Sequence, residues 1–283
     1  MSSWTTSTVS ISKKDFADAV RSRLLWGLVA VLLVVSASQT LSLLSLSDAV
    51  SGERAVRVLA LNLKNVVPIV GLIAGYKAVV GERESGSLRI LLGMPTTRRD
   101  VVLGKFLGRV AVVGVALFVA MVGLTVVLLT QFEGLAGPQS LAIVALVFLY
   151  GFSWAGLAVG VSAGASTRFR AMAIVFGLYT LFAIFWQALV LPLFAMLFTG
   201  SADTSGFEPI ALAEGPSWYL YVQRLNPVEA YEGARIYVPF LFDPGFTGTL
   251  QHAPNLFGVA MLVSWAVVPL VVGYWRFGRS DLG

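Results

Sequence analysis

The sequence contains no cysteine and a single histidine, His252. The first absence excludes disulfides and thiolate metal sites. The second makes an imidazole-built zinc or copper site within one chain a poor fit, and the six methionines are not grouped as soft ligands either. Charge is scarce: Asp, Glu, Lys and Arg make up 12% of the 283 residues, against about 25% in a typical soluble domain. No G-x-x-x-x-G-K-[S/T] phosphate cradle occurs, so the chain does not bind ATP by that motif. The centres of the apolar runs lack Asp and Glu, which weighs against an ion-coupled secondary transporter. One histidine in a polar stretch is too little for an intramembrane hydrolase. No nucleic-acid-binding motif and no low-complexity segment is present.

What the sequence does have is apolar residues. They form 57% of the chain, and the mean hydropathy is +0.82. Six segments reach the roughly 20 residues that a span needs: 24–46, 59–80, 107–130, 140–164, 171–199 and 255–275. They are continuously apolar, without the alternation of barrel strands. The second is interrupted by Asn62, Lys64, Asn65 and Lys77. Both lysines are expected to snorkel to the interfaces. The N-terminal stretch 1–23 is polar and amphipathic, and does not read as a cleaved signal.

The basic residues are unevenly shared. Fourteen fall in the N-terminal stretch, residues 81–109, the turn at 165–170 and the C-terminus, whereas the opposite side has four basic residues and nine acidic ones. The positive-inside rule therefore puts both termini in the cytoplasm of an inner-membrane, multi-pass protein. The net charge of +5 suits an anionic inner leaflet.

Residues 81–109 gather nine charged side chains between the second and third spans. Inside them, Leu88, Leu91 and Leu92 stand at i, i+3 and i+4, one face of a short helix capped at Ser85 or Ser87 and stopped by Gly93 and Pro95. Thr97 and Asp100 fit a capping box for the next helix. A helix this short cannot span. It can dock in a groove of a soluble partner, or it can rest in the headgroups. On the outer side, Asn226 followed by Pro227 predicts a helix near 227–237, where Glu232 and Arg235 can pair at i, i+3. Glycines at four-residue spacing (Gly71/Gly75, Gly104/Gly108 and Gly156/Gly160/Gly164) read as close helix packing within the chain, with a dimer contact as the alternative.

The stretch "GERESGSLRILLGMPTTRRDVVLGK", the amphipathic "KKDFADAVRSR", the six-span layout and "RLNPVEAY" before the last span together resemble the membrane subunit of ABC-2 type transporters. Within that family the chain looks most like the NosY-like branch, the permeases of nitrous oxide reductase maturation. The resemblance implies an all-α membrane fold with six spans, in a type V exporter-like architecture. Residues 1–23 would be a cytoplasmic elbow helix, residues 24–283 one transmembrane domain, residues 81–106 the coupling region and 200–254 an outer segment with short helices. It implies ATPase-coupling roles for Glu82, Arg83, Glu84, Gly86, Leu88, Leu91, Leu92, Pro95, Thr97 and Arg98. It implies an outer gate at Pro227, Glu229, Glu232 and Arg235. The chain itself would hold no cofactor or metal and would not be an enzyme. ATP and magnesium would bind two copies of a separate ABC ATPase subunit, and a second permease copy would complete a homodimer. Membrane lipids and a periplasmic or extracellular accessory protein are the remaining expected partners. The competing readings are an ion-coupled secondary transporter and a non-transporting membrane scaffold.

Overall fold

The structure, a computed structural model, describes residues 3–45, 51–93, 95–129, 137–204, 216–242 and 251–279, and every regular element among them is helical. The expected span ends at 46 and 130, and parts 205–215 and 243–250 of the outer segment, lie outside the described residues.

The first two helices are α1 (Ser3–Val20) and α2 (Arg23–Leu44). Next come α3 (Gly52–Gly75), α4 (Val80–Ser85) and α5 (Ser87–Leu92). Two long helices follow, α6 (Arg98–Leu129) and α7 (Pro138–Gly164). The fifth apolar segment is α8 (Arg168–Thr180), a π-helical stretch Leu181–Val190, and α9 (Leu191–Thr199). The chain closes with α10 (Ser217–Leu225), α11 (Pro227–Phe240) and α12 (His252–Gly278). By length and composition, five helical runs among the described residues can cross a membrane: 54–85, 98–129, 138–164, 168–199 and 252–278. In α2, residues Val29–Ser42 form a shorter apolar helix.

The centre of the bundle is α7, which is apolar around its whole circumference, as a helix surrounded by others must be. It packs on α12, α3, α6 and α11. Tyr150 and Trp154 on α7 are fully buried, and Tyr150 stacks on Tyr231 of α11 with ring centroids 4.2 Å apart.

Each glycine series is used inside the chain. A Cβ on Gly71 would lie 2.8 Å from Trp154 Cβ, and one on Gly75 would lie 2.7 Å from Ala158 Cβ, so α3 rides directly on α7. Gly104 and Gly108 of α6 receive Ile11 and Asp15 of α1 in the same way. At Gly160 a Cβ would fall 2.3 Å from the Pro269 carbonyl, where backbone meets backbone and neither can yield. Without a hydrophobic drive between helices in lipid, such close approach supplies the dispersion contacts that hold spans together. Gly160→Leu is therefore expected to force α7 and α12 apart, at about 3 kcal/mol or more. Gly177→Leu, at a position with nothing within 4 Å, should be silent. Thermal unfolding in detergent compares the two.

Candidate functional site

At the arginine-rich end of the bundle, the chain between α3 and α6 is a rigid corner. The turn after α3 leaves two backbone N–H groups, of Val79 and Val80, without helical partners. The buried Ser162 hydroxyl of α7 accepts both, at 3.0 and 3.1 Å. Gly86, at φ +76°, ends α4 and starts α5, a left-handed turn that favours glycine. It replaces the expected serine cap: Ser85 and Ser87 bond to one another, at 2.9 Å. The capping box forms as the sequence predicts. Asp100 Oδ2 accepts from the Thr97 N–H at 2.9 Å, and Thr97 Oγ1 accepts from the Asp100 N–H at 3.2 Å. Asp100 also accepts from Thr8 of α1, at 2.8 Å.

The charged residues of this corner lash it to the bundle rather than merely keeping it wet. Glu82 meets Lys105 of α6 at 2.5 Å, and Lys105 also meets Asp15 of α1 at 2.8 Å. Arg109 adds a second cation to Asp15 at 2.9 Å. Glu84 pairs with Arg168 at the start of α8, at 2.9 Å. Arg83 donates to the Ala165 carbonyl at 2.6 Å, and its guanidinium lies over the Phe277 ring, as does that of Arg98. Arg98 donates to the last carbonyls of α12, Phe277 and Gly278.

The leucine face is turned inward. Leu88 is 1% exposed, in a cluster with Ile11, Val79, Val101, Leu270 and Phe277, and Leu91 and Leu92 pack against that cluster. Pro95 and Thr97 are exposed at the corner. On the outer face of α5, Arg89 is exposed and Ile90 is 74% exposed. A large apolar side chain thus stands free on a short helix whose other face is fixed to four helices. An amphipathic period cannot tell a face packed on its own chain from one reserved for a partner, so the sequence pointed to the leucines and missed Ile90.

A second constellation lies roughly 20–25 Å away along α3. Asn226 caps α11, accepting from the Val228 N–H at 2.8 Å, with Pro227 in the first turn as expected. This aligns Glu229, Glu232 and Arg235 at i, i+3 and i+6. Arg235 holds Glu232 with two nitrogens, through Nε at 3.0 Å and through Nη2. Lys64 does not snorkel away from the bundle. Its Nζ lies 3.7 Å from both Glu229 and Glu232. Tyr231 donates to the Ala60 carbonyl and Tyr150 to that of Lys64, both at 2.9 Å, which fixes α11 across α3 and α7.

Beneath this pairing lies Arg224 of α10, with 0% exposure, which the sequence offered only as an outer-side charge. It donates to Gln223, the Glu229 carbonyl and Asn255, at 3.2–3.3 Å. Its space exists because residues 233 and 258 are glycines; a Cβ on Gly233 would sit 2.2 Å from its Nε. Burial pushes the Arg224 pKa down, while Glu229 and Glu232 pull it back. For Glu232, burial acts to raise the pKa, but Arg235 and Lys64 outweigh it and hold it below the ordinary 4.5. A carboxyl depressed on folding stabilises fully above its unfolded pKa and less as pH falls through the folded one. Stability is thus expected to drop below about pH 4.5, with a shallower drop in Glu232→Gln, as read by unfolding temperature against pH.

His252 meets the Tyr237 hydroxyl through Nδ1 at 2.8 Å. No group of three or more His, Asp or Glu is placed to hold a metal among the described residues.

An all-helical bundle of apolar spans among the described residues, with a basic corner tied to it and a charged cluster on its short helices, defines a multi-pass membrane protein. Residues 9–282 match the family described as "ABC-2 family transporter protein", and the chain belongs to that family. It is similar to "Probable ABC transporter permease protein NosY" of Pseudomonas aeruginosa, 25% identical, with 93% of each chain covered. A protein of the same description from Stutzerimonas stutzeri is 28% identical over 117 residues, covering 39% of this chain and 41% of that one. Permeases of this family work with an ABC ATPase subunit and are not themselves enzymes.

Proposed function

We propose that the chain is one of two identical permease subunits that frame a translocation path across the inner membrane, driven by two copies of an ABC ATPase. In this reading α2 is the sixth span, both termini are cytoplasmic, and ATP with magnesium binds only the ATPase subunits. The corner of α4 and α5, with Glu82, Arg83, Glu84, Gly86, Leu88, Leu91, Leu92, Pro95, Thr97 and Arg98, is the coupling element. The residues divide into two jobs. Leu88, Leu91, Leu92 and the ion pairs fix the corner to α1, α6, α8 and α12, while Ile90 and Arg89 meet the ATPase. The observation that carries this is the exposed Ile90 on a helix otherwise fixed to the spans. A rigid lever of this kind transmits force, because movement of the docked partner must move α3 and α6 together.

At the other end, α10 and α11 close the path, with Pro227, Glu229, Glu232 and Arg235 forming the gate and Lys64 as its latch to α3. Gln187 supports a second copy: it is exposed midway along an apolar span, where a partner helix satisfies an amide better than hydrocarbon does. The likeness to the two NosY proteins over most or part of their length supports the NosY-like reading; in that reading the chain serves nitrous oxide reductase maturation, with an accessory protein on the outer side. The test is co-purification of the full chain from its native membrane. The expected result is a Walker A-bearing ABC ATPase in equal amount. Its absence under mild detergent would contradict the proposal.

A further inference from the structure

Between α7, α8 and α12, at the same end as the coupling corner, lies a laterally open groove of about 470 Å³. Its wall is apolar, with Ile174, Trp265 and Val272 along it, and its rim holds Arg170 and Arg276. Both arginines are exposed, and among the described residues neither is paired with a carboxylate. Among the described residues, no acidic one lines the groove.

The Arg170 guanidinium and the Arg276 stem are positioned rather than merely present. Arg170 donates through Nη1 to Ser166 at 2.8 Å, which holds it beside the turn between α7 and α8. The stem of Arg276 lies along Gly164, where a Cβ would come 3.4 Å from its Cδ. The apolar wall then runs inward from this rim. Along α12, Trp265 stands 11 residues before Arg276, roughly 16 Å deeper in a helix rising 1.5 Å per residue. This is the shape of a slot that takes a chain lengthwise and an anion at its mouth.

From this geometry we infer that the groove between α7, α8 and α12 binds an anionic phospholipid of the cytoplasmic leaflet. Arg170 and Arg276 hold its phosphate, and one acyl chain lies in the slot. The inference rests on the orientation in the proposed function, which puts this rim in the cytoplasmic leaflet. Basic pockets between spans on that side recognise anionic headgroups, and guanidinium forks suit phosphate oxygens. Both helices that end at this rim also touch the coupling corner. Glu84 pairs with Arg168, two residues before Arg170, and Arg98 bonds the last carbonyls of the helix that carries Arg276. The bound lipid therefore braces the frame in which α5 sits.

The test uses the full chain in detergent, titrated with phosphatidylglycerol, phosphatidylcholine or inorganic phosphate, and read by native mass spectrometry and unfolding temperature. Phosphatidylglycerol is expected to bind and raise the unfolding temperature, whereas phosphatidylcholine and phosphate alone do neither. Arg170→Gln/Arg276→Gln should bind it at least about tenfold more weakly, two surface arginines being lost. Arg170→Lys/Arg276→Lys should keep most of the binding, and Val272→Trp, which fills the slot, should lose it with both arginines intact. Equal binding of both lipids, undiminished binding by the glutamine variant, or binding of phosphate alone would overturn the inference. So would occupation of the groove by a second copy, seen as lipid binding confined to monomers. Failure to recover an ATPase would contradict the proposed function without touching these lipid outcomes.

Discussion

Ile90→Glu is expected to weaken ATPase association by roughly 30-fold or more while leaving the permease folded. Ile90 is 74% exposed and makes no packing contribution to the cluster around Leu88, so a charge there costs the free chain little. In a complex the same position would be an apolar anchor buried in a groove. Replacing a central anchor costs about 2 kcal/mol or more, a weakening of roughly 30-fold. Leu88→Glu is the opposite case. Leu88 is 1% exposed among Ile11, Val79, Val101 and Phe277, so a carboxylate there is buried without a partner and destabilises the chain itself. The pair separates docking from scaffolding, with ATPase pull-down reporting the first and unfolding temperature the second. If both variants unfold the chain equally, or if Ile90→Glu binds ATPase normally, the division of labour along α5 is wrong. Glu82→Lys belongs with Leu88, because it sets a second cation against Lys105.

Lys64→Met is expected to destabilise the cluster on α11 by about 3 kcal/mol. It removes the cation nearest Glu229, whose side chain is 8% exposed, while Glu232 keeps Arg235. The cost is that of a carboxylate left buried and unpaired, not the value of the pair. The double variant Lys64→Met/Glu229→Gln removes both charges and should recover most of the loss. Thermal unfolding of the two variants and of Glu229→Gln closes a double-mutant cycle. An uncorrected double variant would mean that Lys64 acts through some other contact. Transport is the second readout: if Lys64 latches the proposed gate, its loss leaves α11 tied to α3 only through neutral contacts such as Tyr231 to the Ala60 carbonyl, and substrate-independent leakage is expected to rise.

Some of this was legible in the sequence because it is local. Thr97 with Asp100, and Asn226 with Pro227, declare helix starts within three residues, and both helices begin there. The glycine series declared close packing, since a missing Cβ is visible in any sequence. Their neighbours were not visible, because Trp154, Ile11 and Pro269 stand 83 to 109 residues away in chain order. Partners of charge were lost for the same reason. Lys64 read as a snorkelling lysine until α11 brought two carboxylates to it, and Asp15 read as one more polar residue of an amphipathic helix. Arg224 was the hardest case. Its burial depends on Gly233 and Gly258, two small residues whose role appears only once three helices meet. The ten-residue π stretch at Leu181–Val190 has a partial sign in Pro192 just beyond it. Within it the Phe182 carbonyl accepts from Asn226 Nδ2, a long-range bond with no sequence signal.

The central claim is that the outer face of α5 is where the ATPase delivers force. The chain has no cysteine of its own, so Ile90→Cys introduces a unique thiol without any other change. With the co-purified complex, a short thiol–amine cross-linker should join Ile90→Cys to the ATPase, and maleimide labelling there should be blocked by its presence. Ser201→Cys, exposed at the opposite end, should label equally with and without ATPase and form no cross-link. Equal labelling at Ile90→Cys in the free permease and in the complex, with no cross-link, would contradict the claim.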